Sequence, residues 1–287
     1  MSTLPLRSLL FVPGDSQRKI DRAAESAADA IILDLEDSVH PAAKADARLV
    51  VAAALTTSIR SRRIVRVNAL GSAYFQEDIA SLRANPPEAI ILPKCASWQD
   101  IEDASKHLEA AGLAVDRVRI LPVATESARA LRNLMRSDWS HQRLLGLTWG
   151  AEDISADIGS LTNREDGVYT GVYCLARDVC LLAAREAGIL ALDTAFVDVR
   201  DVAGCGSEAA RSYRAGFDGK LAIHPAQIEP INQAFTPSSE QIEWAHRVLE
   251  ALERSGEGVA LLDGKMIDMP HQKSAEKILR AADSRPS

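Results

Sequence analysis

The sequence is poor in aromatic residues, at 5%, although 47% of it is hydrophobic. Its core must therefore be built mostly of Ala, Leu, Ile and Val, and 287 residues suffice for one large domain or two small ones. Cysteine is scarce as well. Cys95, Cys174, Cys180 and Cys205 include no C-x-x-C pair and have no histidine cluster beside them, which argues against a structural zinc site or a disulfide framework. They read as reduced, mostly buried thiols. No apolar run approaches the ~18 residues that span a bilayer. The net charge is −7 with both signs spread along the chain, so neither a nucleic-acid surface nor a membrane surface is expected. The opening MSTLPLRSLLFVPG carries one arginine and enters an apparent strand within ten residues, the pattern expected of a cytoplasmic protein without a targeting peptide.

What is present is an alternation of short apolar strands and longer amphipathic segments. Strands are expected at 8–14, 30–37, 63–68, 89–94, 119–126, 144–153, 193–199 and 220–225. Helical patterns lie between them at 16–28, 41–55, 74–83, 97–111, 127–136, 167–187 and 204–215. Such alternation implies a parallel sheet with helical crossovers. Eight units fit a (β/α)8 TIM barrel, typically ~250 residues long. An open doubly wound sheet is the runner-up, but no G-x-G-x-x-G follows an early strand. The barrel is expected over 1–235, followed by a C-terminal helical extension, 236–287. That extension reads as a helix near 238–255, an extended Gly-rich connection, SGEGVALLDGKMIDMP, and a short helix near 271–282.

Catalytic groups of such barrels gather at the C-terminal ends of the strands. Those ends here carry Asp34, Glu36 and Asp37, then Arg66 and Asn68, Lys94, Glu126, and finally Glu152 and Asp153. Converging carboxylates without His or Cys suggest a hard divalent ion, and Mg²⁺ takes one or two protein carboxylates with water and substrate. Glu126 and Asp153, from neighbouring strands, form the best ligand pair. Glu36 and Asp37 are placed to bind the metal's waters. Arg66 and Lys94 supply positive charge for an anionic substrate. Taken singly, each group has a plainer reading. Asp37 or Ser38 could cap the next helix, Lys94 could serve only as an ion-pair partner, and His224 could be a core histidine. Asp34 reads as a buried acid with a partner inside the barrel. Five strand ends carrying such groups together are not explained that way.

The segments RSLLFVPG, DLEDSVHPAAKADAR, RVN, LPK, TES, GAEDIS, AIHPAQI and DGKMIDMP occur in order from about residue 7 to 280. With them the chain resembles the citrate lyase β-subunit-like branch of the HpcH/HpaI aldolase superfamily, and within it the citramalyl-CoA and malyl-CoA lyases. The resemblance implies a Mg²⁺-dependent enzyme acting on CoA thioesters of 3-hydroxy acids. It implies Glu126 and Asp153 as metal ligands, with Glu126 also near the substrate, and Arg66 on the carboxylate of the substrate or 2-keto acid. Phe11 and Arg18 fall where the family contacts the thioester ligand, Phe11 in place of a Tyr and Arg18 in place of a Lys. Ser127 stands where Thr is common. Asp268 matches an aspartate that reaches a neighbouring subunit's active site and acts in proton transfer, which implies a homotrimer or a dimer of trimers.

The expected reaction is retro-Claisen cleavage of citramalyl-CoA or malyl-CoA to acetyl-CoA and pyruvate or glyoxylate. Asp268 is the expected acid or base at the enolate carbon, and Asp37 is the candidate base at the hydroxyl through a water. Alternatives on the same site are a malyl-CoA thioesterase, a malate synthase-type activity and a citryl thioester lyase. A CoA-independent pyruvate-type aldolase and a non-catalytic subunit are further options; the FVPGDSQRK segment speaks against the former, the full acid set against the latter.

Overall fold

Alternate residues along the strands belong to two different apolar clusters. Leu9, Ile32, Ile64, Ile91, Leu121, Leu192 and Leu221 pack in one, while their neighbours Leu10, Ile31, Leu33, Val65, Ile90, Ile120 and Ala222 pack in the other. Side chains on a strand alternate between faces, so the first cluster fills the inside of a barrel and the second joins its wall to the helices. Burial on both faces explains why the strands read as continuous aliphatic runs.

The computed structural model describes residues 5–256 and 258–283. The barrel strands are β1 (Ser8–Pro13), β2 (Ala30–Asp34), β3 (Arg62–Arg66), β4 (Ala89–Leu92), β5 (Arg119–Pro122), β6 (Gly146–Thr148), β7 (Leu190–Asp193) and β8 (Gly219–Ala222). They pair in parallel in the order β5-β4-β3-β2-β1-β8-β7-β6. Bridges Ile120↔Leu144 and Val123↔Thr148 close β5 onto β6, with Ala124 N–H donating to the Thr148 carbonyl at 2.8 Å. The architecture is thus the (β/α)8 TIM barrel expected from the alternation. The crossover helices are α1 (Gln17–Ala24), α2 (Lys44–Ala54), α3 (Phe75–Ser81), α4 (Trp98–Ala110), α5 (Ala128–Leu134), α6 (Ala151–Ile158), α7 (Gly171–Glu186) and α8 (Val202–Ala215), and α9 (Ile228–Ala234) follows β8. Among the described residues, no helix is long and apolar enough to cross a membrane.

Three expectations are corrected. The seventh strand is Leu190–Asp193, not 193–199. Gly188 turns the chain at φ 66° after α7, so the strand starts as soon as the helix ends. The sixth strand stops at Thr148, and Glu152 and Asp153 lie in the first turn of α6, where the helix dipole favours acids. The Gly-rich tail is not merely extended. It forms an antiparallel hairpin, β9 (Ala260–Leu262) and β10 (Lys265–Ile267), between α10 (Ser239–Ser255) and α11 (Met269–Asp283). These elements share a small core of their own, including Ala245, Val248, Leu252, Ile267 and Ala275.

Candidate active site

The DLEDS segment is organised by its first acid. Asp34 ends β2, is 1% exposed and faces inward, two residues after Ile32. Arg66, at the end of β3, donates to it from Nε and Nη2, both at 2.7 Å. The backbone N–H groups of Glu36 and Ser38 also donate to it, at 2.9 and 3.2 Å. Burial alone would raise the Asp34 carboxyl, but the Arg66 guanidinium overrides it and holds Asp34 below the usual carboxylate range. The partner expected inside the barrel is therefore Arg66. Lys44, in the HPAAKADAR segment, fixes the same turn from behind: its buried ammonium donates to the carbonyls of Leu35 and Glu36 at 2.8 and 2.9 Å. Reading charges along the sequence did not single out Lys44, because its partners are backbone atoms.

Glu36 points back over the barrel mouth. Lys94 Nζ donates to its Oε1 at 2.6 Å, and Arg66 Nη1 lies 3.0 Å from its Oε2. Burial raises the Glu36 carboxyl even so, with Arg66 and Lys94 opposing. Asp37 is more exposed and sits 3.6 Å from Lys94 Nζ. Lys94 adopts φ 53°, a left-handed conformation uncommon for a residue other than glycine. The conformation aims its backbone N–H at Glu126 while its side chain reaches Glu36. The Lys94 ammonium is pushed up to about 12: burial lowers it, and the facing carboxylates of Glu36, Asp37 and Asp153 more than compensate.

Glu126 follows β5 and is 8% exposed. The only hydrogen bond to its carboxylate among the described residues comes from the Lys94 backbone, and no cationic side chain is bonded to it. Burial first, and Asp153 second, push its carboxyl up to about 8. Ser127 next to it caps α5, its Oγ accepting from Ala130 N–H at 3.1 Å; Thr would do the same, so Ser and Thr are equivalent here. Gly150 makes room: a Cβ there would meet Glu126 Cγ at 2.8 Å. Phe11 lies under Arg66, 4.7 Å from ring centre to guanidinium carbon, and Arg18 is exposed on α1.

Other rim expectations fall away. Asn68 is buried and donates to Asp78 and the Leu35 carbonyl at 2.7 and 2.9 Å, a framework role. Glu152 is exposed and accepts from Asn163 at 2.8 Å. His224 is an exposed cap rather than a core residue, its Nδ1 accepting from Ala226 N–H at 3.2 Å. Asp268 does not join the rim within one chain. Its Oδ1 lies 2.7 Å from His271 Nδ1, and its helix, α11, docks Lys277 on Asp218 at 3.1 Å, just before β8 and thus at the opposite end of the barrel.

A second buried charge cluster escaped the sequence reading. Lys220, fully buried in β8, donates to Asp193 at 2.7 Å, Glu208 at 2.9 Å and the Thr194 carbonyl at 2.6 Å. Trp149 and Ser212 complete the shell of Asp193 at 2.8 and 2.7 Å. Leu221 faces inward, so Lys220 faces α8, and the cluster fastens that helix to the wall. Lys220→Met should destabilise the fold by about 3–5 kcal/mol by leaving two buried acids without their cation. Chemical denaturation reads this; a loss within error would show that the cluster is not a fastening.

Glu126 is buried and Asp153 half-buried, near enough for the Asp153 charge to raise the Glu126 carboxyl, and among the described residues no cationic side chain is bonded to Glu126. Among the described residues no group of three or more His, Cys, Asp or Glu is arranged to hold a metal. A carboxylate pair suits an ion such as Mg²⁺, which needs only one or two protein ligands and takes its remaining partners from water and substrate.

Known proteins resemble this chain along nearly its whole length. The family model described as HpcH/HpaI aldolase/citrate lyase matches residues 7–225. A (3S)-malyl-CoA thioesterase of Cereibacter sphaeroides is 34% identical over 98% of this chain and 95% of its own. A citrate lyase subunit beta-like protein of Mycobacterium tuberculosis is 38% identical over 95% of this chain and 94% of its own. The crystal structure of CitE from M. tuberculosis in complex with magnesium, acetoacetate and coenzyme A superposes with a TM-score of 0.83 at 35% identity, covering 98% of this chain and 100% of that one.

Proposed function

This chain belongs to the HpcH/HpaI aldolase/citrate lyase family, and from that premise we propose that it is a Mg²⁺-dependent carbon–carbon lyase acting on a 3-hydroxyacyl-CoA. Citramalyl-CoA or malyl-CoA would be cleaved to acetyl-CoA and pyruvate or glyoxylate, or formed from them by Claisen-type condensation. The observation that carries this is the Glu126–Asp153 pair: a carboxyl raised by burial first and by a neighbouring acid second, and bonded to no cationic side chain among the described residues. A divalent cation between the two would remove that conflict. CitE of M. tuberculosis, with magnesium and coenzyme A bound, supports the same reading.

Glu126 and Asp153 would hold the ion, and Glu36 and Asp37 its waters. Bound Mg²⁺ supplies positive charge that polarises the oxygens it meets. Arg66 positions the keto-acid carboxylate. Asp34 takes two of its N–H groups and Glu36 faces a third, which leaves two of a guanidinium's five donors for the substrate. The Phe11 ring holds the guanidinium plane in place. Lys94 adds positive charge, and Phe11 and Arg18 line the approach for the thioester. Asp37, the more exposed acid, would take the hydroxyl proton through a water. As the bond to the keto acid breaks, Asp268 of the next subunit in a trimer or dimer of trimers would protonate the carbon that becomes the acetyl methyl group. The extension from 236 onward would thus serve a neighbour's site, in line with the absence of any contact between Asp268 and the described rim residues of its own chain.

A second reading is a malyl-CoA thioesterase, favoured by the relatives of that name. The same acids could direct a water at the thioester carbonyl. Incubation with Mg²⁺ and acetyl-CoA or propionyl-CoA against pyruvate or glyoxylate, with products identified by mass, should yield a hydroxyacyl-CoA; free CoA alone from every pair would count against the lyase. Gly150→Ala probes the site sterically. Its backbone, φ −118° and ψ 121°, accepts alanine, so the added methyl acts first through Glu126 Cγ at 2.8 Å and only secondarily through Val123 Cγ1 at 3.3 Å. The Mg²⁺ concentration for half-maximal activity should rise about tenfold or more, and an unchanged value would place the ion elsewhere.

A further inference from the structure

The barrel interior does not end in aliphatic side chains at its N-terminal face. Arg7, Arg62, Arg119 and Leu190 stand two residues before Leu9, Ile64, Leu121 and Leu192, all members of the inner cluster. Residues two apart share a strand face, and one interior layer of such a barrel takes four side chains from alternate strands. The lowest layer, from the β1, β3, β5 and β7 strands, is therefore three arginines and one leucine.

Beneath it lies a cavity of about 940 Å³. Its wall adds Arg117, Arg185, Lys277 and Arg280 to the three arginines, against the acids Glu88, Asp116 and Asp218. Arg62 pairs with Glu88, Arg7 with Asp29 at 2.9 Å, and Asp218 is shared by Arg185 and Lys277 at 2.8 and 3.1 Å. Arg119 meets no carboxylate among the described residues; it donates to the carbonyls of Arg143 and Leu144. Arg280 lies 3.7 Å from Glu276, yet the cavity wall carries seven cations against three acids, so positive charge is in excess in a concave space. Leu145, Ile189 and Leu190, all partly exposed, give the same space an apolar side.

We propose that this basin binds a multiply charged small organic anion, a phosphate ester or a polycarboxylate. Its charged groups would sit on Arg119 and Arg117, and its body against the apolar side. The volume falls within the range of ligand pockets, and clustered guanidinium groups are suited to phosphate and carboxylate. Lys277 and Arg280 belong to α11, whereas the other cations belong to the barrel. A bound anion would therefore bridge the two and clamp the tail helix in place. This inference stands on the geometry of the N-terminal face and is independent of the reaction proposed at the other end.

Calorimetric titration of the full chain in EDTA, with pyrophosphate and citrate as separate probes, tests it. At least one probe should bind saturably, one per chain, and weaken as salt rises. Arg119→Gln and the exposed Arg117→Glu should each weaken binding about tenfold or more, and Lys94→Ala at the opposite rim should leave it unchanged. Which probe binds identifies the anion chemistry. Arg117 lies on the surface, so its variant keeps the test open if Arg119→Gln fails to fold. Hydrogen exchange across Met269–Asp283 should slow on binding. No saturable binding of either probe, or loss in Lys94→Ala with retention in the arginine variants, would overturn the site. Unaltered exchange in α11 would overturn the bridge.

Discussion

Replacing Glu126 by Gln should abolish Mg²⁺-dependent turnover, lowering kcat/KM by more than about 100-fold. Loss of a partner that merely orients a metal ligand costs about 10–100-fold, and Glu126 is proposed as a ligand itself. The substitution keeps shape and the bond from the Lys94 N–H, so the change isolates the charge. It carries a second signature free of catalysis. The Glu126 carboxyl is raised from its ordinary 4.5 to about 8, by burial first and Asp153 second. Between those values the folded state holds a proton that the unfolded chain has released. In EDTA, the stability contributed by this group is therefore present at low pH and lost as pH rises from about 4.5 through 8. Mg²⁺ should restore it at pH 8, and Glu126→Gln should flatten the slope. Thermal unfolding at pH 5 and pH 8, with and without Mg²⁺, reads both effects. A variant with the wild-type pH slope would show that Glu126 is not the group.

Asp268→Asn should leave Mg²⁺ and keto-acid binding intact while lowering kcat by about 10²- to 10⁴-fold, the range for a general acid or base. Asp268 contacts no described rim residue of its own chain, and α11 instead docks at the far end of the barrel through Lys277. If its carboxylate works at all, it works in another subunit. Mixed oligomers of Asp268→Asn and Glu126→Gln chains should then regain activity, because some sites combine an intact Glu126 with a neighbour's intact Asp268. Turnover of Asp268→Asn within twofold of wild type would remove Asp268 from the mechanism, and failure of the mixture to recover would place its action within one chain.

The barrel was legible because its strands are buried on both faces and recur between amphipathic helices. Boundaries were less so. Asp153 looked like a strand end, yet lies in the first turn of α6, because the apolar run through Trp149 continues past the last ladder bond. Arg66, Lys94, Glu36 and Glu126, read from the strand ends, meet on one rim because a barrel gathers those ends there. Which acid takes which cation was not legible. Asp34 and Glu36 are two residues apart and both acidic, but only the fold sets Asp34 under Arg66 and Glu36 against Lys94. The cluster around Lys220 was invisible for a similar reason: Asp193 and Glu208 come from different elements, and a lone lysine in GKLAIHP carries no sign of its partners. Asn68 shows the reverse error, a polar residue near the rim that serves the framework.

The most direct test follows keto-acid formation and free-thiol release together while the protein acts on malyl-CoA or citramalyl-CoA, with Mg²⁺ and then with excess EDTA. A metal-dependent lyase should produce keto acid and acetyl-CoA in equal amounts, release no free thiol, and stop in EDTA. Thiol without keto acid, or undiminished turnover in EDTA, would contradict the account.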